Sequence, residues 1–569
     1  MDRSCAGWTL VLALVGCGAP KEGAGSSCEG GLDYDQDGVC DREAADWSAD
    51  AALTPGEDRA DVFALGEEGV RAVQAEGLAH ALVWPVTTSR LVLPIRPFEA
   101  LLNDPEKAQL VDLLEQAAGF RDMPGLYARL GLVPLPDDAA ARFGMQVPAG
   151  MLPGDPMGAA VVDTADGEGL VFSCAACHTG VLLGQPVMGL TNRRARPNAF
   201  FHLAKPLVAA VPPDQFAALT GATAGETAMY ARFADALAAV GTKEPETLGL
   251  DTSLAQVGLS LARRAPDADA SLDPFLAAHP APNVLDSLVA DSKPAVWWTV
   301  KYKTRWLSDA SIVSGNPIFT NFLWNEIGRG ADLPALAGWL EDEQRVSDTL
   351  TVATFATPAP RWEAWFGADS IDIETARAGE MIFVDQCASC HGMYEKGWSE
   401  PDAPSLDRAA LLQTTRVVYH EQTPRMDVGT SAGRAQGMAG LADGLNRLDI
   451  SQWMGTVVEV GEGYVPPPLD GIWARYPYLH NGSVPSLCAL LSPVVDRPSV
   501  FVQGPSDSAA DYDADCVGYP VGDAIPDAWW TDADALYDTT LPGRSNQGHE
   551  TFVGTPQQRQ QLITFLKTL

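Results

Sequence analysis

The sequence predicts a mainly α-helical protein with two similar domains and further helical and loop segments inserted around them. Three observations predict this class. First, one pentapeptide pattern, Cys-x-x-Cys-His, occurs at residues 174–178 and again at residues 387–391. Second, apolar residues between residues 60 and 160 recur at helical spacing, at Leu101, Leu102, Leu110, Leu113 and Leu114. Third, the chain ends in a capped apolar stripe, formed by Thr555, Pro556, Gln558, Leu562, Phe565, Leu566 and Leu569.

The repeated pentapeptide is the attachment signature of haem c. Its two thiols form thioethers with the porphyrin, and the adjacent imidazole becomes the proximal iron ligand. A zinc site with four cysteine ligands is disfavoured, because the two pairs lie more than 200 residues apart and each is followed at once by His. A thioredoxin-type motif would need a βαβ context that neither flank offers. The sequence therefore predicts two cytochrome c-like haem domains and two covalent haem c groups, held by Cys174, Cys177 and His178 and by Cys387, Cys390 and His391.

The N-terminal residues predict export. Arg3 precedes an apolar run over residues 8–15, which is too short to span a bilayer and ends at Leu14-Val15-Gly16-Cys17. This tetrapeptide resembles the bacterial lipobox, so residues 1–17 are predicted to be a lipoprotein signal peptide and Cys17 the lipidated residue. An ordinary secreted protein is the alternative. We expect a lipid-anchored protein in the periplasm or at the outer membrane or cell surface, with membrane contact through the anchor alone.

The charge of the chain limits its partners. The 569 residues carry a formal net charge of −36, which disfavours nucleic acid and anionic membrane surfaces. A solvated acidic surface explains this charge most simply. The same surface would attract a small basic electron-donor protein.

Residues 18–59 read as a flexible tether with an Asp-rich loop. Asp33, Asp35, Asp37 and Asp41 match the front of a calcium-binding loop, although Ala44 stands where an EF-hand has its bidentate Glu. We predict a structural calcium site, with a solvated acidic linker as the alternative. Cys5 leaves with the signal peptide, and the four cysteines that haem and lipid then leave over form two local pairs. These pairs predict the disulfides Cys28–Cys40 and Cys488–Cys516 in an oxidising compartment.

The two haem domains are predicted to occupy residues 60–368 and residues 369–569. In the second, Gly379 and Phe383 lie one helical turn apart before Cys387, where a small residue lets another helix approach. In the first, Trp297 and Trp298 stand among cations. Paired tryptophans usually belong to a core, but a Trp at a haem edge can carry an electron or wall a substrate pocket. His202 could face the first haem, but we expect a histidine on a helix surface or in a hydrogen bond rather than an iron ligand.

Further runs connect the chain to a known group of proteins. They are His178-Thr-Gly followed by Gly189-Leu-Thr-Asn192, the segment Tyr478-Leu-His480-Asn-Gly-Ser483, and Gly548-His549-Glu550 shortly before the terminal Leu-Lys-Thr-Leu. With the two pentapeptides, these runs resemble the diheme cytochrome c peroxidase superfamily, which includes the bacterial cytochrome c peroxidases, the methylamine-utilisation diheme enzyme and the rubber oxygenases. The resemblance covers roughly residues 160–569, and the rubber-oxygenase branch is the nearest.

The resemblance implies a division of labour between the haems. His178 would be proximal to an open haem, with Trp298 beside it, whereas His391 and His549 would both bind the second iron. His480 would border a haem without binding its iron. Classical peroxidases have a Met ligand downstream of the segment around His480, but this chain has no Met after Met454. With no His or Met assigned opposite His178, an open first haem is the economical interpretation.

The sequence thus predicts an exported haem oxidoreductase whose open haem activates peroxide or dioxygen and whose bis-His haem transfers electrons. One alternative is a rubber-oxygenase-like dioxygenase that cleaves an apolar polyisoprenoid. The other is an electron-transfer lipoprotein without enzymatic activity, in which both irons are six-coordinate.

Overall fold

Helices outweigh strands in the computed structural model, which describes residues 59–84, 91–250, 253–505 and 509–569. Several predictions fall on residues outside these ranges: the signal peptide, the lipidated Cys17, the Cys28–Cys40 disulfide, and the calcium ligands Asp33, Asp35, Asp37 and Asp41. Within them, no helix is long and apolar enough to cross a membrane.

Fifteen helices precede residue 369 in the described ranges. They are α1 (Gly66–Val83), α2 (Ile95–Asn103), α3 (Ala108–Ala118), α4 (Met123–Arg129), α5 (Ala139–Phe143), α6 (Ala175–His178), α7 (Pro197–Ala209), α8 (Pro213–Thr220), α9 (Ala224–Ala238), α10 (Leu254–Leu261), α11 (Pro274–Ala278), α12 (Pro317–Gly328), α13 (Leu333–Asp342), α14 (Gln344–Ala356) and α15 (Trp362–Phe366).

Eight more follow in the described part of the chain. They are α16 (Ile373–Gln386), α17 (Ala388–His391), α18 (Arg408–Leu412), α19 (Gly433–Gly437), α20 (Ala442–Asn446), α21 (Asp449–Trp453), α22 (Leu487–Leu490) and α23 (Pro556–Leu566).

The strands are short and pair only in antiparallel fashion among the described residues. They are β1 (Leu93–Pro94), β2 (Val133–Pro134), β3 (Pro156–Met157), β4 (Ala159–Thr164), β5 (Gly167–Phe172), β6 (Thr179–Leu182), β7 (Gln185–Met188), β8 (Ile312–Ser314), β9 (Met393–Lys396), β10 (Thr414–Val418), β11 (Val457–Val458), β12 (Val500–Val502) and β13 (Leu536–Asp538). One sheet has the order β1-β5-β4, and β2-β3, β6-β7, β8-β11, β9-β10 and β12-β13 are two-stranded.

The strands β5 and β6 lead into and out of the first pentapeptide. β5 pairs with β4 in register, Phe172 opposite Ala159, and brings the chain to Cys174. β6 then turns back into β7, so that Thr179 pairs with Met188. The pentapeptide therefore lies on one helical turn between two hairpins, which fix its entry and its exit.

The terminal helix confirms the prediction made for it. Thr555 and Gln558 form a reciprocal capping box at the start of α23, and Pro556 occupies the first turn. α23 packs across α16 at Gly379, where a Cβ atom would lie 2.0 Å from the carbonyl oxygen of Gln561. The rings of Phe383 and Phe565 pack 5.2 Å apart beside this crossing. The glycine is therefore needed for the close approach of the two helices.

Two large cores each draw on distant parts of the chain. One joins buried residues between Leu78 and Phe355 to a later group between Met438 and Val458. The other joins residues from Leu182 to Tyr302 with residues from Trp362 to Leu569. Cys488 and Cys516 form the predicted disulfide within the second core region. The first pentapeptide contacts the first core through Cys174 and Ala175, and the second pentapeptide contacts the second core through Cys387 and Ala388.

Candidate functional site

The first pentapeptide is held by the loop that follows β7. The His178 N–H donates to the carbonyl of Cys174 at 3.1 Å, which closes the turn of α6. The Asn192 N–H donates to the carbonyl of Cys177 at 2.9 Å, and the Asn192 amide nitrogen donates to the carbonyl of Ala176 at 2.9 Å. Asn192 belongs to the run quoted for the family resemblance. Asn192 thus fixes the backbone of the turn that carries the first pentapeptide.

One nitrogen of the His178 imidazole already forms a hydrogen bond within the protein. Nδ1 lies 3.0 Å from the carbonyl oxygen of Ala295, so Nδ1 carries the proton and donates it. Nε2 is the remaining lone-pair nitrogen, and a carbonyl partner on the other nitrogen is the usual way that proteins orient a metal-binding His. Burial lowers the pKa of His178 to about 4, so the ring is neutral at neutral pH, as iron ligation requires.

The second pentapeptide repeats this arrangement. His391 Nδ1 donates to the carbonyl oxygen of Pro467 at 2.8 Å, and burial lowers the pKa of His391 to about 4. His420 Nε2 lies 2.9 Å from the carbonyl of Cys390, and the Tyr394 hydroxyl donates to the carbonyl of His391 at 3.0 Å. Both predicted proximal histidines are therefore oriented by a backbone carbonyl from a segment far away in sequence.

A single cavity connects the two motifs. The space between the protein atoms there, with the solvent at its mouth included, is about 3410 Å³. Its lining includes the predicted haem-binding residues of both sites, Cys174, Cys177, His178, Cys387, Cys390, His391, His480 and His549. None of the four motif cysteines is in a disulfide. Each motif thus presents two thiols and one imidazole, oriented by a carbonyl, to a large cavity. Haem c requires this set of groups, so the residues of both motifs fit it.

His549 lies opposite His391 across the cavity. Their ring centroids are 6.1 Å apart, which admits one metal ion between two imidazole nitrogens at bond lengths of about 2 Å each. The His549 backbone has a φ of 55° and is held by an N–H bond to the carbonyl of Val428 at 2.8 Å. A positive φ at a residue other than Gly is costly and persists only where the surroundings enforce it. The chain thus holds this imidazole in a fixed position.

The tryptophan nearest to His178 is not the one that the family resemblance indicated. The ring of Trp297 packs against His178 with centroids 5.8 Å apart, and Trp297 lines the cavity. Trp298 does not line the cavity; it lies in the second core, 1% exposed, and its indole N–H donates to the carbonyl of Asp470 at 2.8 Å. Adjacent residues on this short 3-10 turn point in different directions, which sequence alone did not reveal.

His480 lines the cavity, as expected of a residue that borders a haem. Its ring stacks on Tyr464 with centroids 3.8 Å apart, and burial lowers its pKa to about 3. The carbonyl of His480 accepts a hydrogen bond from the Lys293 N–H at 2.9 Å. His202, by contrast, is exposed on α7 and away from the cavity lining.

The sequence did not indicate which charged residues reach this cavity. Lys293, Lys303 and Arg475 line it. Glu326 and Arg329 of the α12 region also line it and form an ion pair at 2.9 Å. The only sequence signal was the unusual number of cations around the paired tryptophans.

Known proteins resemble parts of this chain. Residues 463–502 match the family described as RoxA-like, cytochrome c-like. The uncharacterized protein y4iJ of Sinorhizobium fredii is 30% identical over 261 residues, which cover 37% of this chain and 41% of that protein. The uncharacterized protein y4iM of the same organism is 31% identical over 196 residues, which cover 32% of this chain and 42% of that protein. The chain spans about two fifths of the length of these curated relatives.

The matched segment is part of the site. It contains Pro467, whose carbonyl orients His391, and it contains Arg475 and His480 of the cavity wall. A cytochrome c-like segment implies covalently bound haem c. Residues 463–502 therefore relate this chain to the RoxA-like c-type cytochromes and support a haem oxidoreductase of the rubber-oxygenase-like branch.

Proposed function

We propose that this chain is an exported c-type cytochrome oxidoreductase with two haems of different function. The haem held by Cys174, Cys177 and His178 would have an open face that activates peroxide or dioxygen. The haem held by Cys387, Cys390 and His391 would be closed by His549 and would transfer electrons.

The observation that carries this proposal is the asymmetry between the two proximal histidines. His391 has a second imidazole opposite it, at 6.1 Å between ring centroids. The aromatic ring that contacts His178 belongs to Trp297, which has no lone pair to offer an iron. An iron with two imidazole ligands has no position left for a substrate, whereas an iron with one imidazole can bind peroxide or dioxygen.

The side chains and carbonyls around the two motifs would orient the haems and shape the cavity, without reacting themselves. The carbonyls of Ala295 and Pro467 fix the tautomer and the orientation of the two proximal rings. Aromatic side chains wall the cavity beside the first motif and keep its dielectric low; they are Trp84, Phe172, Phe201, Phe322 and Trp324. Haem c would supply the redox chemistry, and the protein would supply orientation and exclusion of water.

A dioxygenase that cleaves an apolar polyisoprenoid is the second candidate. The match of residues 463–502 to the RoxA-like family favours it, as does the aromatic wall, which suits an unsaturated hydrocarbon better than a charged reductant. An oxygenase would consume dioxygen with polyisoprene and need no external electron donor. A peroxidase would consume peroxide only with a donor.

The test begins with the purified full-length cytochrome. Pyridine haemochrome analysis and mass spectrometry should give two haems per chain. A low-temperature electron paramagnetic resonance spectrum of the ferric protein should show one high-spin and one low-spin signal. Carbon monoxide should bind one ferrous haem. Two low-spin signals and no carbon monoxide binding would contradict the proposal and favour the electron carrier.

A further inference from the structure

Three cations on the wall of the shared cavity have no anion to face. Lys293 Nζ donates to the carbonyl oxygen of Arg475 at 3.2 Å and to that of Pro477. Arg475 donates from a terminal guanidinium nitrogen to the carbonyl of Pro468 at 2.7 Å. Lys303 is only 8% exposed. In the described part of the chain, its ammonium has no hydrogen bond or ion pair, and none of the three cations pairs with a carboxylate.

Arg475 lies close enough to both lysines to act on them electrostatically. Burial, and then the charge of Arg475, lower the pKa of Lys303 to about 7. Burial, then Arg475 and then Arg193, lower the pKa of Lys293 to about 7. Positive groups that are removed from water and placed near each other are destabilised strongly unless an anion compensates them. The cavity wall is therefore missing a negative partner.

No described side chain supplies that partner. Asp470 acts on Arg475 electrostatically but forms no ion pair with it, and Asp470 does not line the cavity. Glu326 lines the cavity but is already paired with Arg329 at 2.9 Å. The anion must therefore come from whatever fills the cavity.

Two of the three cations lie beside the segments that orient the proximal histidines. Lys293 is two residues from Ala295, whose carbonyl orients His178. Arg475 bonds to the carbonyl of Pro468, next to Pro467, whose carbonyl orients His391. A carboxylate that extends from either haem site towards the middle of the cavity would meet this group.

We propose that Lys293, Lys303 and Arg475 form a carboxylate-binding site at the centre of the cavity and that haem propionates occupy it. This inference rests on the proposed function, because it requires haem at the pentapeptides. A free carboxylate would have to approach a protein with a net charge of −36. Covalently attached haem carries its propionates in with it. The cations then stabilise the ferrous state over the more positive ferric state, and so raise the reduction potential.

The test is a spectroelectrochemical titration of both haems in the full-length cytochrome. Lys303→Met removes the charge at nearly constant shape, and Lys303→Arg restores it. Lys301→Met is the matched control, since it makes the same charge change two residues away at a side chain that does not line the cavity. We expect Lys303→Met to lower the midpoint potential of at least one haem, Lys303→Arg to keep it near the wild-type value, and Lys301→Met to leave both potentials unchanged.

The outcomes separate this inference from the function on which it rests. Fewer than two haems per wild-type chain would contradict the proposed function, and this content is measured first. With two haems present, unchanged potentials in both Lys303→Met and Lys293→Met would overturn the carboxylate site. Acetate is added to the wild-type protein and to Lys303→Met as a probe for a free carboxylate. If acetate changes only the wild-type spectrum, and if Lys303→Met leaves both potentials unchanged, then the ligand is a free carboxylate and the propionate assignment is wrong. Lys303→Gln replaces Lys303→Met if that variant does not retain haem.

Discussion

At the scale of single residues, the position of His549 depends on its backbone as much as on its ring. Its φ of 55° is unusual for a residue other than Gly, and the preceding Gly548 has a φ of 80°. A Cβ atom on Gly548 would lie 2.4 Å from the backbone of Gly429. The two residues form a tight turn that presses the chain against the Val428–Gly429 segment and leaves the imidazole facing His391.

Replacing this imidazole should open the second haem. With the proposed ligation, we expect His549→Ala to convert the second haem from low to high spin, because the iron would lose one of two strong-field ligands. Electron paramagnetic resonance of the ferric protein would then show two high-spin haems, and carbon monoxide would bind both ferrous haems. His202→Ala, which changes an exposed His on α7, should leave the spectrum unchanged. A wild-type spectrum in His549→Ala would remove the ligand assignment.

The residues at the site show where sequence reasoning reached its limit. The pentapeptides and His549 could be identified because their chemistry is local or is carried by a family pattern. The partners of the proximal rings could not, since Ala295 and Pro467 lie 117 and 76 residues from the histidines that they orient. The choice between Trp297 and Trp298 depends on which way each side chain leaves a short turn, and the spacing of residues does not determine that.

At the scale of secondary-structure elements, the crossing of α16 and α23 depends on Gly379. We expect Gly379→Ala to lower the free energy of unfolding by about 1–3 kcal/mol, because the added methyl group would lie 2.0 Å from the Gln561 carbonyl oxygen and the helices must separate. Gly338→Ala in α13 is the matched control. A Cβ there meets nothing within 4 Å, so this change should stabilise the helix by up to ~1 kcal/mol. Urea unfolding followed by far-ultraviolet circular dichroism would measure both; equal effects of the two changes would contradict the close-approach argument.

The start of α9 predicts a loss of stability in acid. Glu226 closes a capping box with Thr223, and Arg96 forms an ion pair with the same carboxylate. The hydrogen bond from Arg96 is the main reason that the pKa of Glu226 falls from its ordinary value of 4.5 to about 2. A carboxylate with a lowered pKa stabilises the fold above the unfolded-state pKa, and that contribution is lost as the pH falls towards the folded-state value.

We therefore expect the free energy of unfolding to fall by roughly 1–2 kcal/mol between pH 4.5 and pH 2 because Glu226 becomes protonated. This value is smaller than the full pKa shift would give, since Arg96 is half-exposed and solvent screens the pair. Glu226→Gln should flatten this part of the stability profile. Asp235→Asn, at an exposed position of the same helix, should leave the profile as it is. Denaturant unfolding at a series of pH values measures all three proteins, and an unaltered slope in Glu226→Gln would contradict the prediction.

Elements were easier to predict than their assembly. The cap of α23, the contact made by Gly379 and the Cys488–Cys516 disulfide were all predicted from local patterns and are confirmed. The packing of residues 438–458 with the core around α12 and α14 was not predicted, because no local pattern reports which distant apolar faces meet.

At the scale of the whole molecule, Arg193 joins the loop after the first pentapeptide to the part of the chain that follows the second pentapeptide. Its side chain is 5% exposed, lies 3.9 Å from the centroid of the Tyr476 ring, and pairs with the buried Asp511 at 3.3 Å. Removal of one partner leaves the other charge buried without compensation, which costs far more than loss of an exposed pair. Arg129 and Asp534 form such an exposed pair between the same parts of the chain, at 2.9 Å.

Comparing the buried Arg193–Asp511 pair with the exposed Arg129–Asp534 pair tests how much each contributes to the free energy of unfolding. We expect Arg193→Met to lower the free energy of unfolding by about 3–5 kcal/mol and Arg129→Met to lower it by less than ~1 kcal/mol. Asp511→Asn combined with Arg193→Met should recover part of the loss, since the uncompensated carboxylate is then absent. Denaturant unfolding followed at the haem absorbance gives these values, and equal losses in the two arginine variants would contradict the argument.

The loss in Arg193→Met should also depend on pH in a defined direction. Burial raises the pKa of Asp511, and Arg193 is the main group that opposes this rise. Without Arg193, folded Asp511 binds a proton at a pH where the unfolded chain, with an ordinary Asp pKa of 3.8, has already released it. Stability therefore falls as the pH rises above about 3.8. A loss in Arg193→Met that is the same at pH 4 and pH 7 would show that another group compensates Asp511. The buried pair would then not be the contact that joins these two parts of the chain.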